Sequence, residues 1–179
     1  MTTILGLDLS STAMGWCYLH PERAPIARSI TLGTSKDDIA DRCLKAQQEI
    51  ALLIAACGDI DCVAIEDFVW MSPTGTIPQA CVRGAVYAEL RTHGLSYCVV
   101  APSAAKRALT QSGAADKRTM LWAAASHLGH DPLFLEIECR RGLWAAWMND
   151  LRIYDEHAAD ALGVALSLAA SGRVQLEVV

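Results

Sequence analysis

The sequence predicts an α/β fold in which helices flank a five-stranded mixed sheet. Three short apolar segments come first, with serine and proline in the turns between them, which is the pattern of two successive β-hairpins. Helical and strand-like segments then alternate, as they do where crossover helices join parallel strands. We therefore expect strands 1 to 3 to pair antiparallel, and strands 1, 4 and 5 to run parallel.

Three strands are predicted near the N-terminus, at residues 3–9, 14–20 and 28–34. The first, TILGLDL, is a continuous apolar run, as expected for a buried central strand. The second, MGWCYLH, alternates well enough to form a strand, and in the third, RSITLGT, Ile30 and Leu32 share one face. The first strand should therefore lie inside the sheet, beside the hairpins that follow it.

The remaining elements are predicted from capping residues, helical periodicity and glycine stops. Ser35 with Asp38 resembles a capping box at the start of the first helix, and Gly58 ends that helix. A loop rich in proline, glycine, serine and threonine is expected at 71–79. In chain order, the other predicted elements are strand 61–70, helix 78–93, strand 96–102, and helices 103–109, 117–128 and 156–170.

Length and composition favour one domain that spans residues 1–179. The hydrophobic fraction is 53%, and charged residues interrupt every apolar run before it reaches the roughly 18 residues of a membrane span. The N-terminus has no basic segment typical of a signal peptide, and the seven cysteines are scattered without a CxxC pair. We therefore expect reduced, mostly buried thiols in a cytoplasmic protein that has no membrane partner.

The net charge of −5 argues against a general nucleic-acid-binding protein, because such proteins are usually basic. It does not exclude an enzyme that meets nucleic acid through a local basic patch and bound cations. Charge therefore leaves the functional class open.

Acidic side chains occur at the ends of two strands that are predicted to be parallel. Asp8 lies near the end of the first strand, and Glu66 follows the apolar run CVAI in the fourth. Because ligands of open α/β sheets bind at the carboxyl ends of parallel strands, both acids are candidates for a functional site. Taken alone, Asp8 is equally well explained as a turn residue. Glu66 is the stronger candidate, since a carboxylate in such apolar surroundings needs a partner such as a cation.

The last predicted helix carries His157 and Asp160, which lie three residues apart and therefore on one helix face. Asp160 lies within AADALGVALSLAA, an apolar stretch that must pack against the sheet, so its charge needs to be neutralised. Alone, His157 is better explained as an exposed first-turn residue, and Asp155 and Glu156 suit the helix dipole there. Together with the two strand-end acids, the pair indicates one oxygen-rich pocket.

An oxygen-rich pocket of this kind suits Mg²⁺ or Mn²⁺, and Mn²⁺ tolerates one imidazole ligand well. Two such ions about 4 Å apart are a standard arrangement for phosphodiester hydrolysis, because one activates water and the other stabilises the leaving oxygen. The ions also offset the repulsion between acidic side chains and phosphate. The residues therefore favour a site for two Mg²⁺ or Mn²⁺ ions.

Five segments resemble a known family. They are ILGLDLSSTAMGW (4–16), VAIEDF (63–68), QACVRGAVYAEL (79–90), APSAAKRALTQSGAADKRTM (101–120) and HAADALGVAL (157–166). In this order, and over most of residues 3–170, they resemble the RuvC family of Holliday-junction resolvases, which belongs to the RNase H-like superfamily and occurs in bacteria and their phages. DLSSTAMGW alone is equally similar to the first phosphate loop of actin-like kinases. The whole set of segments implies an RNase H-like fold.

The resemblance also implies roles for individual residues. The family's metal ligands match Asp8, Glu66 and Asp160, and a fourth position, Asp or His in the family, matches His157. Two basic family positions that help catalysis and hold the DNA backbone match Lys106 and Lys117. Without the motif, the second lysine is better explained as an exposed residue that starts a helix.

DNA contacts are implied by the same resemblance. In the family, an aromatic residue just after the strand-4 glutamate stacks on bases at the junction centre, and such stacking is worth about 1–3 kcal/mol. Phe68 and Trp70 both qualify, but strand alternation turns one of them inward, and Trp70 is favoured because it is nearer the 71–79 loop. The full set of predicted DNA contacts is Phe68, Trp70, Arg83, Lys106, Lys117 and Arg118.

Two features depart from the family pattern. The segment between Lys117 and His157 is longer than usual and contains the apparent insertion DPLFLEIECRRGLWAAWMNDLR. This insertion either adds contacts at a dimer interface, or adds DNA contacts through Arg140 and Arg141, or is a solvated loop. The acidic net charge, in turn, does not favour tight non-specific DNA binding.

The favoured function is a metal-dependent endonuclease that cuts four-way DNA junctions as a homodimer, whose symmetry gives paired cuts. A second hypothesis keeps the fold and makes the chain a less selective branched-DNA nuclease that acts on flaps, forks or replication intermediates. An actin-like phosphotransferase is disfavoured, because the chain is too short for two lobes and has no second Gly-rich phosphate loop. A non-catalytic DNA-binding module is disfavoured because carboxylates clustered beside phosphate bring it no benefit.

Overall fold

The computed structural model describes residues 2–68, 73–129 and 156–171, without the side chains of residues 73 and 74. Five strands are described: β1 (Ile4–Leu9), β2 (Ala13–Leu19), β3 (Ile26–Thr31), β4 (Cys62–Glu66) and β5 (Tyr97–Val100). They form one sheet in the order β3-β2-β1-β4-β5. β1 pairs antiparallel with β2, and β2 with β3, whereas β1, β4 and β5 are parallel. The predicted mixed sheet is confirmed, including the strand directions.

Five helices are described: α1 (Ile39–Cys57), α2 (Pro73–Thr92), α3 (Pro102–Thr110), α4 (Lys117–His127) and α5 (Glu156–Ser171). Two starts differ from the prediction. The Asp38 carboxylate caps α1 by accepting a hydrogen bond from the backbone N–H of Ala40, so the predicted capping box at Ser35 is wrong. The described part of α2 starts at Pro73, inside the predicted 71–79 loop, and the helix continues through Pro78.

The sheet separates two apolar cores. Helices α1 and α2 cover one face, where they pack against Leu5, Leu7 and Ile65. Helices α3, α4 and α5 cover the other face, against Ile4 and Ala64. All six residues of β1 are buried, which explains why its sequence is a nearly continuous apolar run and makes its one acidic residue conspicuous.

Helix α5 lies close to the sheet because two strand residues have no side chain. At Gly6 of β1, an added Cβ would lie 2.4 Å from the carbonyl oxygen of Ala161. At Gly15 of β2, an added Cβ would lie 1.9 Å from the carbonyl oxygen of His157. Both distances are far shorter than a carbon–oxygen contact allows, so only glycine fits. The first turn of α5 is thereby held against Gly15, the residue that pairs with Asp8 in the sheet.

The six cysteines in the described ranges are all free thiols. Fewer are fully buried than the sequence predicts: Cys17 and Cys62 are buried, Cys43, Cys57 and Cys98 are half-buried, and Cys81 is exposed. Burial raises the pKa of the Cys17 thiol, which keeps it protonated and unreactive. Among the helices described, none has both the length and the apolar character needed to cross a membrane.

Candidate active site

The two strand-end acids point to the face of the sheet that α5 covers. Because side chains alternate along a strand, Asp8 shares its face with Ile4, and Glu66 shares its face with Ala64. The parallel pairing of β1 with β4 brings the two strand ends side by side. Asp8 is 8% exposed and Glu66 is half-buried, and electrostatic repulsion acts between their carboxyl groups. The predicted proximity of the two acids is thus what the fold produces.

Helix α5 brings the other two predicted ligands to the same place. His157 lies in its first turn, and the ring atom Nδ1 is 2.5 Å from Oδ2 of Asp8. Asp160 follows on the same helix face and is half-buried. Electrostatic repulsion acts between Asp160 and each of the two strand-end acids. All four residues that the sequence singles out as ligands therefore converge at one end of the sheet.

The clustered acids are costly to ionise, mainly because they are buried. Burial raises the pKa of Glu66 to about 8, and repulsion from Asp8 and Asp160 adds to the shift. Burial also raises the pKa of Asp160 to about 6, with a further contribution from Asp8. The positive charge of Lys106 opposes both shifts. At neutral pH the cluster therefore retains a proton that a bound cation would displace.

The donor set fits a hard divalent cation. Three carboxylates and one imidazole are ligands that Mg²⁺ or Mn²⁺ accepts. Burial and mutual repulsion raise the pKa values of Glu66 and Asp160, and a bound cation would relieve the repulsion. Within residues 2–68, 73–129 and 156–171, no three His, Cys, Asp or Glu side chains already surround one point. Instead, the Asp8 carboxyl group is hydrogen-bonded to the imidazole of His157. A metal ion would take over donors that now bond to one another.

The two predicted catalytic lysines approach the acids from neighbouring helices. Lys106 of α3 is half-buried, and its charge acts on both Glu66 and Asp160. Lys117, the first residue of α4, is exposed and forms an ion pair with Glu156. That ion pair raises the pKa of Lys117, so the ammonium group stays charged at physiological pH. Both lysines are therefore available as cations beside the acidic cluster.

Arg83 is the predicted DNA contact that the structure corrects. Its side chain is buried, with 4% exposure. Its Nη1 donates a hydrogen bond to the backbone carbonyl of Glu66 at 2.5 Å, and its Nη2 donates to the hydroxyl of Tyr87 at 2.8 Å. The guanidinium group thus makes hydrogen bonds within the protein and is not exposed for contact with a DNA phosphate.

The other predicted DNA contacts differ in their exposure. Phe68 is half-buried, and its ring lies 5.1 Å from the guanidinium carbon of Arg83. Arg118 is exposed on α4, with its guanidinium carbon 6.0 Å from the ring centre of Trp122. Trp70, which the sequence favours over Phe68, lies outside the described residues, as do Arg140, Arg141 and Asp155. Of the two candidate aromatic residues, the structure therefore places only Phe68.

Sequence reasoning missed three residues that shape the site. Gln79 of α2 donates from Nε2 to the carbonyl of Leu9, at 2.7 Å, and Arg42 of α1 donates from Nη1 to the carbonyl of Ser11, at 2.6 Å. Both bonds hold the backbone that follows Asp8. The third is Glu156, interpreted from sequence as a first-turn acid with no other role, which instead pairs with a predicted catalytic lysine.

Comparison with known proteins identifies the family. Residues 4–127 match the family model described as Crossover junction endodeoxyribonuclease RuvC. The chain belongs to the RuvC family. The resemblance drawn from the sequence segments is therefore confirmed. The matched span includes both strand-end acids and both lysines, whereas His157 and Asp160 lie beyond it and join the site through the packing of α5.

Two relatives carry the name Crossover junction endodeoxyribonuclease RuvC. The relative from Erythrobacter litoralis is 36% identical over 121 residues, which cover 65% of this chain and 74% of that protein. The relative from Sphingopyxis alaskensis is 33% identical over 119 residues, which cover 64% of this chain and 75% of that protein. Both matches agree with the family assignment.

Solved structures of RuvC share the fold. Thermus thermophilus RuvC has a TM-score of 0.66 at 18% identity, over 94% of this chain and 93% of that chain. T. thermophilus RuvC in complex with a Holliday junction substrate has a TM-score of 0.72 at 20% identity, over 97% of this chain and 96% of that chain. The prediction of an RNase H-like mixed sheet is thereby confirmed.

Proposed function

We propose that this RuvC-family protein is a divalent-metal-dependent endonuclease that resolves four-way DNA junctions by hydrolysing phosphodiester bonds. The observation that carries the proposal is the convergence of Asp8, Glu66 and Asp160 at one end of the sheet, where their mutual repulsion favours a bound cation. The substrate class is supported by family membership and by the Holliday junction bound in the T. thermophilus RuvC complex. Both relatives are named for the same activity.

Asp8, Glu66, Asp160 and His157 would hold two ions, Mg²⁺ or Mn²⁺. When bound, these ions supply an activated water and neutralise charge on the leaving oxygen. Two of the carboxylates lie on adjacent central strands and one on a helix held against glycine, so rigid elements fix where the ligands lie. The side chains themselves would exchange their present contacts for the cation.

The basic residues of the proposed enzyme act on phosphate. Lys106 lies close enough to the acids to stabilise charge that develops on the scissile phosphate. Lys117 and Arg118, both exposed at the start of α4, would contact the neighbouring DNA backbone. Phe68, just after the strand that carries Glu66, is the described aromatic residue suited to stack on a base at the junction centre.

Resolution of a junction requires two cuts, and we propose that a homodimer makes them. A two-fold axis would relate two copies of the site as it relates opposing strands of the junction. We also propose that residues 1–179 form a single nuclease domain, since all described elements pack on one sheet.

The test is cleavage of a panel of labelled DNAs of matched sequence: a mobile four-way junction, a three-way fork, a 5′ flap and a linear duplex. Each is incubated with Mg²⁺, with Mn²⁺ or with a chelator. The proposal predicts paired, symmetric nicks in the four-way junction and none with the chelator. Comparable rates on flaps and forks would instead favour the less selective branched-DNA nuclease.

A further inference from the structure

One side of α2 carries a polar stripe formed by Gln79, Arg83 and Tyr87. These residues are spaced four apart, so they follow one another along a single helix face. Arg83 is buried, whereas the two flanking residues are half-buried. Burying a guanidinium group costs free energy unless its N–H donors are hydrogen-bonded. The hydrogen-bond acceptors of Arg83 therefore indicate what this buried side chain does.

The stripe holds the backbone at the two strand ends that carry catalytic acids. Gln79 donates from Nε2 to the carbonyl of Leu9, the residue after Asp8, at 2.7 Å. Arg83 donates from Nη1 to the carbonyl of Glu66 itself, at 2.5 Å. The described β1–β4 register ends one residue before these acids, at Leu7↔Ile65. Helix α2 thus donates hydrogen bonds to the ends of both β1 and β4, just beyond the point where the two strands stop pairing with each other.

Aromatic rings fix the position of the guanidinium group. The guanidinium carbon of Arg83 lies 5.1 Å from the ring centre of Phe68 and 5.6 Å from that of Tyr87. The ring of Tyr87 is in turn stacked on that of Tyr97 of β5, with the ring centroids 4.4 Å apart and an angle of 6° between the ring planes. Arg83 therefore bonds to the backbone of Glu66 and contacts Phe68, the aromatic residue two positions later, with the same planar group.

We propose that Gln79 and Arg83 are positioning residues that set the spacing between Asp8 and Glu66, and that Arg83 also couples Phe68 to the Glu66 backbone. This inference rests on the proposed function. Neither residue would touch the metal or the DNA. Together they would keep the carboxylates of Asp8 and Glu66 at a separation that suits a shared cation. Arg83 would also transmit a displacement of the Phe68 ring to Glu66.

The direct test is the affinity of the DNA-free protein for Mn²⁺, measured by titration calorimetry on wild type, Arg83→Met, Gln79→Met and the control Arg91→Met. Arg91 is an exposed residue in the last turn of the same helix. Loss of an outer residue that orients ligands typically weakens metal binding about 10–100-fold, and we expect Arg83→Met to fall in that range. Gln79→Met should show a smaller loss, and Arg91→Met none.

Circular dichroism at the titration temperature establishes that each variant is folded. If Arg83→Met does not fold, Tyr87→Phe serves in its place, since it keeps the ring and removes only the partner of Nη2. Weakened Mn²⁺ binding in folded Gln79→Met or Tyr87→Phe would then support the proposal. Affinities equal to wild type in all folded stripe variants would overturn it.

A second readout separates this inference from the proposed function. On the four-way junction, Arg83→Met should need more Mn²⁺ for half-maximal single-turnover cleavage, while junction binding measured without metal stays within about threefold of wild type. A stripe variant that cleaves with an unchanged Mn²⁺ requirement would contradict the positioning role. If wild type cleaved no branched DNA at all, the nuclease assignment would fail, and the calorimetric result would still decide the role of the stripe.

Discussion

The Nδ1 atom of His157 lies 2.5 Å from Oδ2 of Asp8, so a side-chain hydrogen bond joins α5 directly to β1, the central strand of the sheet. This contact orients the imidazole ring relative to the Asp8 carboxyl group. The His157 side chain is 25% exposed, which does not fit the alternative interpretation of an exposed first-turn residue.

The identity of residue 157 should set the metal preference. His157→Asp should shift the preference from Mn²⁺ towards Mg²⁺, because Mg²⁺ favours oxygen ligands and imidazole suits softer ions. His157→Ala should raise the Mn²⁺ concentration for half-maximal cleavage at least about tenfold. The measurement is the cleavage rate over a series of Mg²⁺ and Mn²⁺ concentrations, with the surface variant His93→Ala as control. An unchanged metal profile in His157→Asp would remove this residue from the ligand set.

The acidic cluster should make the metal-free protein less stable as pH rises. Glu66 has an ordinary pKa of 4.5 and a folded-state pKa of about 8, and Asp160 rises from 3.8 to about 6. In each case the folded state holds a proton that the unfolded state releases, so the stabilisation is complete below the unfolded pKa and is lost as pH rises through the folded pKa. The melting temperature of wild type relative to Glu66→Gln should therefore fall between about pH 5 and pH 8.

A divalent ion should reverse that trend, because binding requires the ionised carboxylates. We expect the rise in melting temperature caused by Mn²⁺ to be larger at pH 8 than at pH 6, and to be small in Glu66→Gln at either pH. A wild-type melting temperature that tracks Glu66→Gln over the whole pH range would show that Glu66 is not the perturbed group.

The contact between Gly15 and α5 should tolerate no side chain. In Gly15→Ala, the new Cβ would collide with the His157 carbonyl, so α5 must move away from the strand. We expect a loss of about 1–3 kcal/mol in the free energy of unfolding, which is typical of overpacking, and a large loss of cleavage. Gly84→Ala is the matched control, since nothing lies within 4 Å of its added Cβ.

Gly84 lies in α2, so its replacement should raise the free energy of unfolding by up to about 1 kcal/mol through helix propensity. Urea unfolding followed by circular dichroism measures both variants. If Gly15→Ala matched wild type in stability and cleavage, the close approach of α5 would not be what positions His157.

Glu156 should restrain Lys117 in the DNA-free protein. The Lys117 side chain is 78% exposed, so the ion pair should contribute no more than about 1 kcal/mol to stability. Glu156→Gln should leave the melting temperature nearly unchanged, tighten junction binding at low salt, and steepen the salt dependence by about one phosphate contact. The comparison is Glu22→Gln, an exposed acid in the turn between β2 and β3. Equal junction affinity in Glu156→Gln and Glu22→Gln would contradict the expectation that Glu156 competes with DNA phosphate for Lys117.

Much of the sheet, and the proximity of the four predicted ligands, followed from local patterns. The predicted parallel strands place Asp8 and Glu66 at carboxyl ends of one sheet, and spacing along a helix predicts that His157 and Asp160 share one helix face. These relationships depend only on the geometry of one element or of adjacent strands. They hold once the elements themselves are correctly identified.

The parts that sequence could not supply depend on contacts between distant segments. Arg83 stands in a motif where a basic residue suggests phosphate, yet it is buried because Phe68 and Tyr87 enclose its guanidinium group. The pairing of Glu156 with Lys117 depends on how α4 lies relative to α5, which no periodicity encodes. Gln79 gave a weak signal, since it stands four residues before Arg83 and therefore on the same helix face.

Metal-dependent resolution of four-way junctions is tested most directly by single-turnover cleavage of a mobile junction by wild type and Asp8→Asn, with Mg²⁺ or Mn²⁺. Junction binding is measured in parallel without metal. Asp8 is hydrogen-bonded to His157, and its charge acts on Glu66 and Asp160, so removing that charge should disable the whole cluster. We expect symmetric cleavage by wild type, loss of cleavage in Asp8→Asn by several orders of magnitude, and similar junction affinity in both. Cleavage by Asp8→Asn at a rate near that of wild type would contradict this expectation.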